Sequence, residues 1–338
     1  MTIDRTTLGS VTPERGDAAL EVSAQGLGCM GMSEYYGATD WDTSIATIHR
    51  ALDLGVTFLD TADVYGQGHN EVLVGRAIAG RRDEVQLATK FGIDRSAGDA
   101  NRTIRGAHDY VKRSAEASLL RLGVDHIDLY YLHRPPNDVD IEETAAAMAE
   151  LVTEGKVRHI GFSELDGELL RRAHAVHPVT AVQSEYSLWE RSVEDVTPVL
   201  AELGIGLVPY SPLGRGFLTA TIDVASLGDK DFRANNPRFA GEAGQANLAI
   251  AQTVKDVATR LGAEPAQVAL AWVNAQAGRL GVAGLAAIPG TKREKWLEQN
   301  VGALEVTLDD EAFAVLDPLS QQVQGSRYPS GMTPQRTR

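Results

Sequence analysis

The chain has 338 residues, 43% of them apolar, and its 32 lysines and arginines face 46 acids for a formal charge of −14. That acidic surplus excludes a general affinity for nucleic acid or an anionic membrane, while leaving room for a local basic pocket for one phosphate. A single cysteine, Cys29, excludes an internal disulfide framework and a cysteine-built metal site, and no run of about eighteen apolar residues predicts a membrane helix. Residues Met1 to Leu20 carry acids and a proline rather than the apolar stretch of a signal peptide, so a cytoplasmic location is expected.

Short apolar runs recur along the chain: Gly26 to Met30, Phe58-Leu59-Asp60, Val85 to Lys90, Ile127 to His133, Val157 to Ser163, Ala181 to Tyr186, Ile205 to Ser211 and Leu285 to Gly290. Most lack strict alternation, the pattern of parallel strands buried on both faces. Amphipathic stretches separate them. Ile45, Ile48 and Leu52 share one helical face, as do Val111, Ala115, Leu119 and Leu122; Met148, Leu151 and Val152; and Val196, Val199, Leu200 and Leu203. Gly55, Gly123, Gly155 and Gly204 fall where helix C-caps are expected.

Strand and helix alternating eight times predict an α/β fold, a (β/α)8 TIM barrel, with an open doubly wound sheet as the rival. No linker breaks the rhythm, so residues 1–338 read as one domain, with the barrel over 20–320. Pro212 to Gly244 has little periodicity and is far longer than an ordinary connection, which marks it as functional. The tail from Gln321 to Arg338 is polar and irregular, expected either to be partly disordered or to fold over a rim.

Gly26-Leu27-Gly28-Cys29-Met30-Gly31 matches the dinucleotide fingerprint G-x-G-x-x-G literally. That fingerprint needs a helix opening at the third glycine, where its N-terminus receives the pyrophosphate. The sequence continues Met32-Ser33-Glu34-Tyr35-Tyr36-Gly37, which is no helix start. The run reads instead as a strand end whose backbone must turn.

Asp60, Lys90 and His133 each end a predicted strand, and Tyr65 follows five residues after Asp60. In a barrel, the ends of different strands converge on the C-terminal face, where active sites lie. A lysine cation beside a phenol is expected to lower its pKa from ~10. An aspartate beyond the lysine would hold it charged, and a neutral histidine could donate to a carbonyl oxygen. Taken singly, each has a plainer reading: a bracing ion pair, a core histidine, a packed aromatic. Their shared placement at strand ends favours a catalytic set that polarises a carbonyl, so that its carbon accepts a hydride, and protonates its oxygen.

Asp60 to Gly66, Ala88-Thr89-Lys90-Phe91-Gly92 and Leu132-His133-Arg134 resemble the three catalytic segments of the aldo-keto reductases. Gly161-Phe162-Ser163-Glu164, the stretch Gln183 to Trp189, and Pro209 to Gly216 resemble that family's cofactor segments, in the same order. The likeness runs from Gly26 to Asn300 and is greatest to the bacterial, plant and fungal branch that includes pyridoxal reductase.

The resemblance implies Tyr65 as general acid/base, tuned by Asp60 and Lys90, with His133 orienting the carbonyl. It implies Tyr210 stacked on nicotinamide, Ser163 and Gln183 on its carboxamide, and Ser211, Leu213, Gly214, Arg215 and Gly216 along the pyrophosphate. The long loop that follows would close over the cofactor. The adenosine segment would comprise Gly290, Thr291, Lys292, Arg293, Gln299 and Asn300. Three positions depart from the family pattern: Glu164 replaces the usual asparagine, Trp296 an arginine that holds the 2′-phosphate, and Gln299 a glutamate. Lys292 and Arg293 still offer two charges, so NADP(H) is the expected cofactor with NAD(H) open.

Tyr35, Tyr36 and Trp189 follow strand ends and read either as an aromatic wall for a small-molecule aldehyde or ketone or as loop packing. No spacing of histidines and acids suggests a metal. Two other functions are compatible with the same residues. One is a cofactor-binding regulatory or sensor subunit with little turnover, since the resemblance extends to potassium-channel β subunits. The other is a barrel lyase using Lys90 as a Schiff-base nucleophile, which leaves Tyr65, Tyr210 and the phosphate loop without a role.

Overall fold

The computed structural model describes residues 3–12, 16–37, 39–98, 102–223, 227 and 231–328. Seven parallel strands follow one another around a barrel. They are β1 (Leu27–Gly28), β2 (Phe58–Asp60), β3 (Gln86–Phe91), β4 (Ile127–Leu132), β5 (Val157–Ser163), β6 (Ala181–Glu185) and β7 (Gly206–Tyr210). Residues 285–290 close the ring. They pair with both its ends, Leu207 with Leu285 on one side, Gln25 with Ala287 and Gly28 with Gly290 on the other. The Gly26 amide donates to the Ala287 carbonyl at 2.8 Å, and the Ile288 amide to that of Pro209 at 3.0 Å. The fold is therefore the (β/α)8 TIM barrel, and closure excludes the open doubly wound sheet.

Helices α1 (Trp41–Asp53), α2 (His69–Ala77), α3 (His108–Leu122), α4 (Ile141–Thr153), α5 (Gly167–Val176) and α6 (Thr197–Leu203) each follow one strand and pack against the next helix around the outside. Between β7 and the closing segment lie α7 (Gly241–Leu261), α8 (Pro265–Asn274) and α9 (Gln276–Leu280); α10 (Glu294–Val301) and α11 (Asp310–Leu316) come after it. The ends are set locally. Asp40 and Asp166 accept from the Thr43 and Leu169 amides as N-caps of α1 and α5, and Gly123 and Gly204 cap α3 and α6 in left-handed conformation. Gly55 and Gly155 stand one residue past the caps of α1 and α4, also at positive φ.

Period-two alternation sorts each strand between two environments. Leu59, Leu87, Phe91, Tyr130, Leu132, Ile160, Phe162 and Val182 face outward into the core under the helices. Phe58, Ala88, Leu129, Tyr131, Ala181, Val208 and Ile288 fill the lower interior. An antiparallel hairpin, Arg5–Leu8 with Leu20–Ser23, plugs the N-terminal mouth, its Leu8, Leu20 and Val22 joining the same cluster. Two residues farther up the strands the inward positions change character, to Asp60, Lys90, His133, Ser163, Gln183 and Tyr210. The apolar floor leaves the upper mouth as the place where polar chemistry collects.

The first strand is shorter than predicted. After Gly28 the chain enters a 3₁₀ turn, Met30–Met32, and not the helix a dinucleotide fingerprint requires. The long connection after β7 has short helical turns at Gly214–Thr219 and Phe232–Asn235, and α7 starts at Gly241, inside the segment read as aperiodic. Residues 224–226 and 228–230 of that loop, and 329–338 of the tail, lie outside the described residues. Among the described residues, no helix is long and apolar enough to cross a membrane.

Candidate active site

The register places Lys90 opposite Tyr131 and two residues above Ala88, which faces Asp60. Its fully buried side chain reaches across to three oxygens: Asp60 Oδ1 at 2.5 Å, the Thr61 carbonyl at 2.7 Å and Tyr65 Oη at 3.4 Å. The other Asp60 oxygen accepts from Gln183 Nε2 at 2.8 Å, so the carboxylate is held by a donor on each side. The His133 ring meets that of Tyr65 edge-on, with centroids 5.9 Å apart. Four residues from three strands and one loop thus share one point at the top of the barrel.

Burial, the largest single influence, would lower Lys90, and Asp60 and Tyr65 together outweigh it, keeping the ammonium above its ordinary value. Burial raises Asp60 against the pull of Lys90 and Gln183. For Tyr65 the outcome differs from the sequence expectation. Burial, with Asp60 adding to it, raises the phenol in spite of Lys90, because a hydrogen bond at 3.4 Å is too long to offset desolvation. Tyr65 is thus a protonated phenol at neutral pH. Burial, then Arg134 and Lys90, push His133 well below its usual range, leaving a neutral imidazole whose buried Nδ1 has no partner among the described residues.

The Tyr65 loop is fastened from outside. Thr61 Oγ1 bonds Asn70 Oδ1 at 2.5 Å, and Asn70 Nδ2 donates to the Cys29 carbonyl at 2.9 Å. Buried Glu71 accepts from Thr89 Oγ1 at 2.7 Å and Arg121 Nε at 2.6 Å. All the described non-glycine residues at positive φ, namely Tyr35, Gln67, Glu164, Ser211, Arg215 and Ala220, follow the C-terminal ends of β1, β2, β5 or β7. Such backbone strain gathers where the surrounding structure fixes a site, and here it gathers on one rim.

On that rim, next to the four, Ser163 and Gln183 face each other across β5 and β6. Ser163 Oγ accepts from Arg134 Nη1 at 3.2 Å, and Arg134 Nη2 approaches Tyr210 Oη at 3.5 Å. Ser211, Leu213, Gly214, Arg215 and Gly216 form a tight turn after β7. Gly214 has φ +57, and a Cβ on it would lie 2.7 Å from the Trp189 indole. Arg215 Nη2 pairs with buried Glu185 at 2.9 Å, while its buried Nη1 has no hydrogen-bond partner among the described residues. A glycine turn beside an unsatisfied buried guanidinium nitrogen is a donor set that fits a phosphate.

Farther along the rim, Gly290 bridges to Gly28, and Lys292 Nζ donates to the carbonyls of Tyr36 and Gly37 at 2.7 Å each. Thr291 Oγ1 and the Arg293 amide bond each other at 3.2 Å at the start of α10, whose Gln299 is half-buried and Asn300 buried. Trp296 stands 40% exposed with Lys295 Nζ over its ring.

The proposed aromatic wall is only partly assembled. Tyr35 and Tyr36 both meet Phe232 edge-on, at 5.4 and 5.2 Å. Trp189 does not join them: it is 1% exposed, stacked on Phe217 and edge-on to Phe239, beneath the Gly214 turn. There it supports that turn.

Sequence reading did not single out Arg134, Glu185, Arg327 or Tyr328. Glu185 carried a signal, an acid two residues beyond Gln183 on the inward face of the same strand. Arg327 and Tyr328 carried none, because the side chains they meet, on Glu164, Glu185 and Tyr210, lie more than a hundred residues away. Among the described residues, no group of three or more histidines, cysteines and acids is placed to hold a metal.

A closed parallel barrel with a buried acid and lysine and a half-buried phenol converging at its C-terminal mouth is built as an enzyme. The chain belongs to the aldo/keto reductase family, whose model matches residues 25–321, and is an oxidoreductase. Solved structures agree along almost the whole length. A glycerol dehydrogenase from Gluconobacter oxydans is 28% identical with a TM-score of 0.82, over 98% of this chain and all of its own. An aldo-keto reductase from Bacillus halodurans, in its holo form, is 26% identical with a TM-score of 0.75, over 98% and all of its own. An aldo/keto reductase from Klebsiella pneumoniae, in complex with NADP and acetate, is 30% identical with a TM-score of 0.68, over 91% and 95%. The family is established by these matches; the branch that includes pyridoxal reductase is not.

Proposed function

We propose that the protein is an NADPH-dependent reductase that converts an aldehyde or ketone to an alcohol, with Tyr65 as the proton donor. The observation that carries this reading is the relay from the buried Asp60–Lys90 pair to the half-buried Tyr65, closed by a neutral His133. Bound NADPH supplies the hydride. His133 orients the substrate carbonyl, and Tyr65, a phenol at neutral pH, gives its proton to the carbonyl oxygen while the Lys90 ammonium steadies the phenolate left behind.

Tyr210, Ser163 and Gln183 would hold the nicotinamide end. Ser211, Leu213, Gly214, Arg215 and Gly216 would hold the pyrophosphate, and Gly290, Thr291, Lys292, Arg293, Gln299 and Asn300 the adenosine. The NADP in the Klebsiella pneumoniae relative supports this cofactor, and Arg215 Nη1, buried and unbonded among the described residues, fits it. Tyr35 and Tyr36, packed on Phe232, would form one wall of the carbonyl pocket. The Schiff-base alternative is disfavoured because a nucleophilic amine must be neutral, whereas Asp60 holds Lys90 charged. We place the enzyme in the cytoplasm as one barrel domain, acting on a small-molecule carbonyl rather than on nucleic acid or membrane.

The test follows loss of reduced-nicotinamide absorbance with 4-nitrobenzaldehyde for wild type and Tyr65→Phe. Activity in the wild type and its loss in the variant, with NADPH binding kept, is the expected result. Cofactor binding without turnover across several aldehydes and ketones would favour a regulatory subunit, and no binding at all would overturn the assignment.

A further inference from the structure

The chain does not end its course on the barrel wall. After α11 a 3₁₀ turn, Asp317–Gln322, leads a short arm back onto the C-terminal mouth. The arm is anchored at its base, where the Gln324 amide donates to Asn247 Oδ1 and Asn247 Nδ2 donates to the Gln324 carbonyl, each at 2.9 Å. Gly325 then bends it at φ +87, pressed so close that a Cβ would lie 2.5 Å from the Pro237 carbonyl oxygen. Asn236 Nδ2 reaches the Arg327 carbonyl at 3.3 Å.

At the tip, Arg327 spends its guanidinium on three residues of three different strand ends. Nη1 and Nη2 donate to the two oxygens of Glu164 at 3.0 and 2.7 Å, and Nε donates to Glu185 Oε2 at 2.7 Å. Nη2 also donates to Tyr210 Oη at 2.8 Å. That hydroxyl in turn donates to Glu164 at 3.0 Å and lies 3.3 Å from Tyr328 Oη. The Tyr210 hydroxyl is thus anchored by Glu164 and by the arm, and an anchored oxygen at the far end of the ring sets where the whole side chain lies.

We propose that Arg327, backed by Tyr328, is a positioning residue for the nicotinamide end of the cofactor: it clasps Tyr210 and Glu164 in the orientation that presents the Tyr210 ring to the nicotinamide. The inference rests on the reading that Tyr210 faces that ring. The contact is separable from the fold, because Glu185 keeps Arg215 at 2.9 Å and Glu164 keeps the Glu185 amide at 3.0 Å when Arg327 is removed. A lysine, with three donors on one point, cannot span the two carboxylates and the phenol in this planar way.

The experiment compares wild type, Arg327→Met and Arg327→Lys in the full chain, by thermal melting, by titration with NADPH and with 2′,5′-ADP, and by kcat. The last nucleotide carries the adenosine end and no nicotinamide. Arg327→Met is expected to weaken NADPH by about tenfold or more and to lower kcat by a similar factor. Binding of 2′,5′-ADP stays within about twofold, and Arg327→Lys recovers part of both losses. Unchanged NADPH affinity and kcat in either variant overturns the clasp. So does equal weakening of both nucleotides, which would make the arm a support of the fold alone; if Arg327→Met does not fold, Arg327→Lys is judged by the same readouts. A wild type that binds 2′,5′-ADP and NADPH with no difference attributable to nicotinamide overturns the placement of Tyr210, and with it the proposed function at that end.

Discussion

Replacing Lys90 by methionine isolates the pair at the centre of the site. The Lys90 side chain is 0% exposed and that of Asp60 3%, and their charged atoms are 2.5 Å apart. Removing one partner of such a pair costs about 3–5 kcal/mol, mostly by leaving the other charge buried and alone. Gln183 still donates to Asp60 at 2.8 Å, which argues for the lower end of that range. Over a chain of this length, with ~2.1 cal/mol/K per residue, the loss corresponds to roughly 4–7 °C in Tm. Guanidinium unfolding measures it without heating. Adding Asp60→Asn removes the stranded carboxylate, so the double variant is more stable than the sum of the two single losses predicts, by about 0.5–3 kcal/mol. Activity falls by about 100- to 10,000-fold in Lys90→Met because Tyr65 loses its cation. The pH dependence has a definite sign. A lysine raised by its partner stabilises the fold fully below its unfolded pKa of ~10.4, and that contribution disappears as pH rises through the higher folded value. A Lys90→Met protein within about 0.5 kcal/mol of wild type would refute the buried pair.

Three other outcomes follow from the same geometry. Glu164, whose carboxyl is brought down from 4.5 to about 2 by Arg327 and Arg134 against its burial, contributes stability above pH ~4.3 that is lost as pH falls toward 2. Acid unfolding of Glu164→Gln, followed by tryptophan fluorescence, should have a shallower slope across that window, and an identical slope would count against the clasped carboxylate. Gly214→Ala meets both a positive φ and the Trp189 indole at 2.7 Å; it is expected to lose about 1 kcal/mol or more of stability and to weaken NADPH, and an unchanged titration would place the pyrophosphate elsewhere. Cys29 is buried and its thiol pushed up to about 12, first by burial and then by Asp60, so a thiol reagent should label it only after denaturation; rapid labelling of the native protein would show the base of the site to be open.

How much of this was legible in the sequence depends on whether a property is local. Strand and helix follow from runs and stripes a few residues long, and the eight-fold alternation predicts a barrel, while the rival open sheet is excluded only by the pairing of residues 285–290 with both ends of the ring. The position of Asp60, Lys90 and His133 at strand ends was legible for the same reason, since in parallel strands a residue's place along the run fixes its height in the barrel. Even the division between an apolar floor and a polar mouth can be read, two residues at a time, from Phe58 to Asp60 and from Ala88 to Lys90.

Other features depend on what comes near in space. Trp189 follows a strand end just as Tyr35 does, yet it turns under the Gly214 loop into a cluster with Phe217 and Phe239. The direction of the Tyr65 shift required the burial of the phenol and the 3.4 Å length of its bond to Lys90, which only the folded chain supplies. Gln183 had a visible place on β6, but its amide rests on Asp60, 123 residues away. Arg327 is the extreme case. Nothing in a polar tail announces that its guanidinium closes over Glu164 and Glu185. Local sequence sets backbone periodicity and strand-end placement, because those are governed by neighbours along the chain; the partners of a buried charge are decided by whichever distant group the closed barrel brings within three ångströms or so of it.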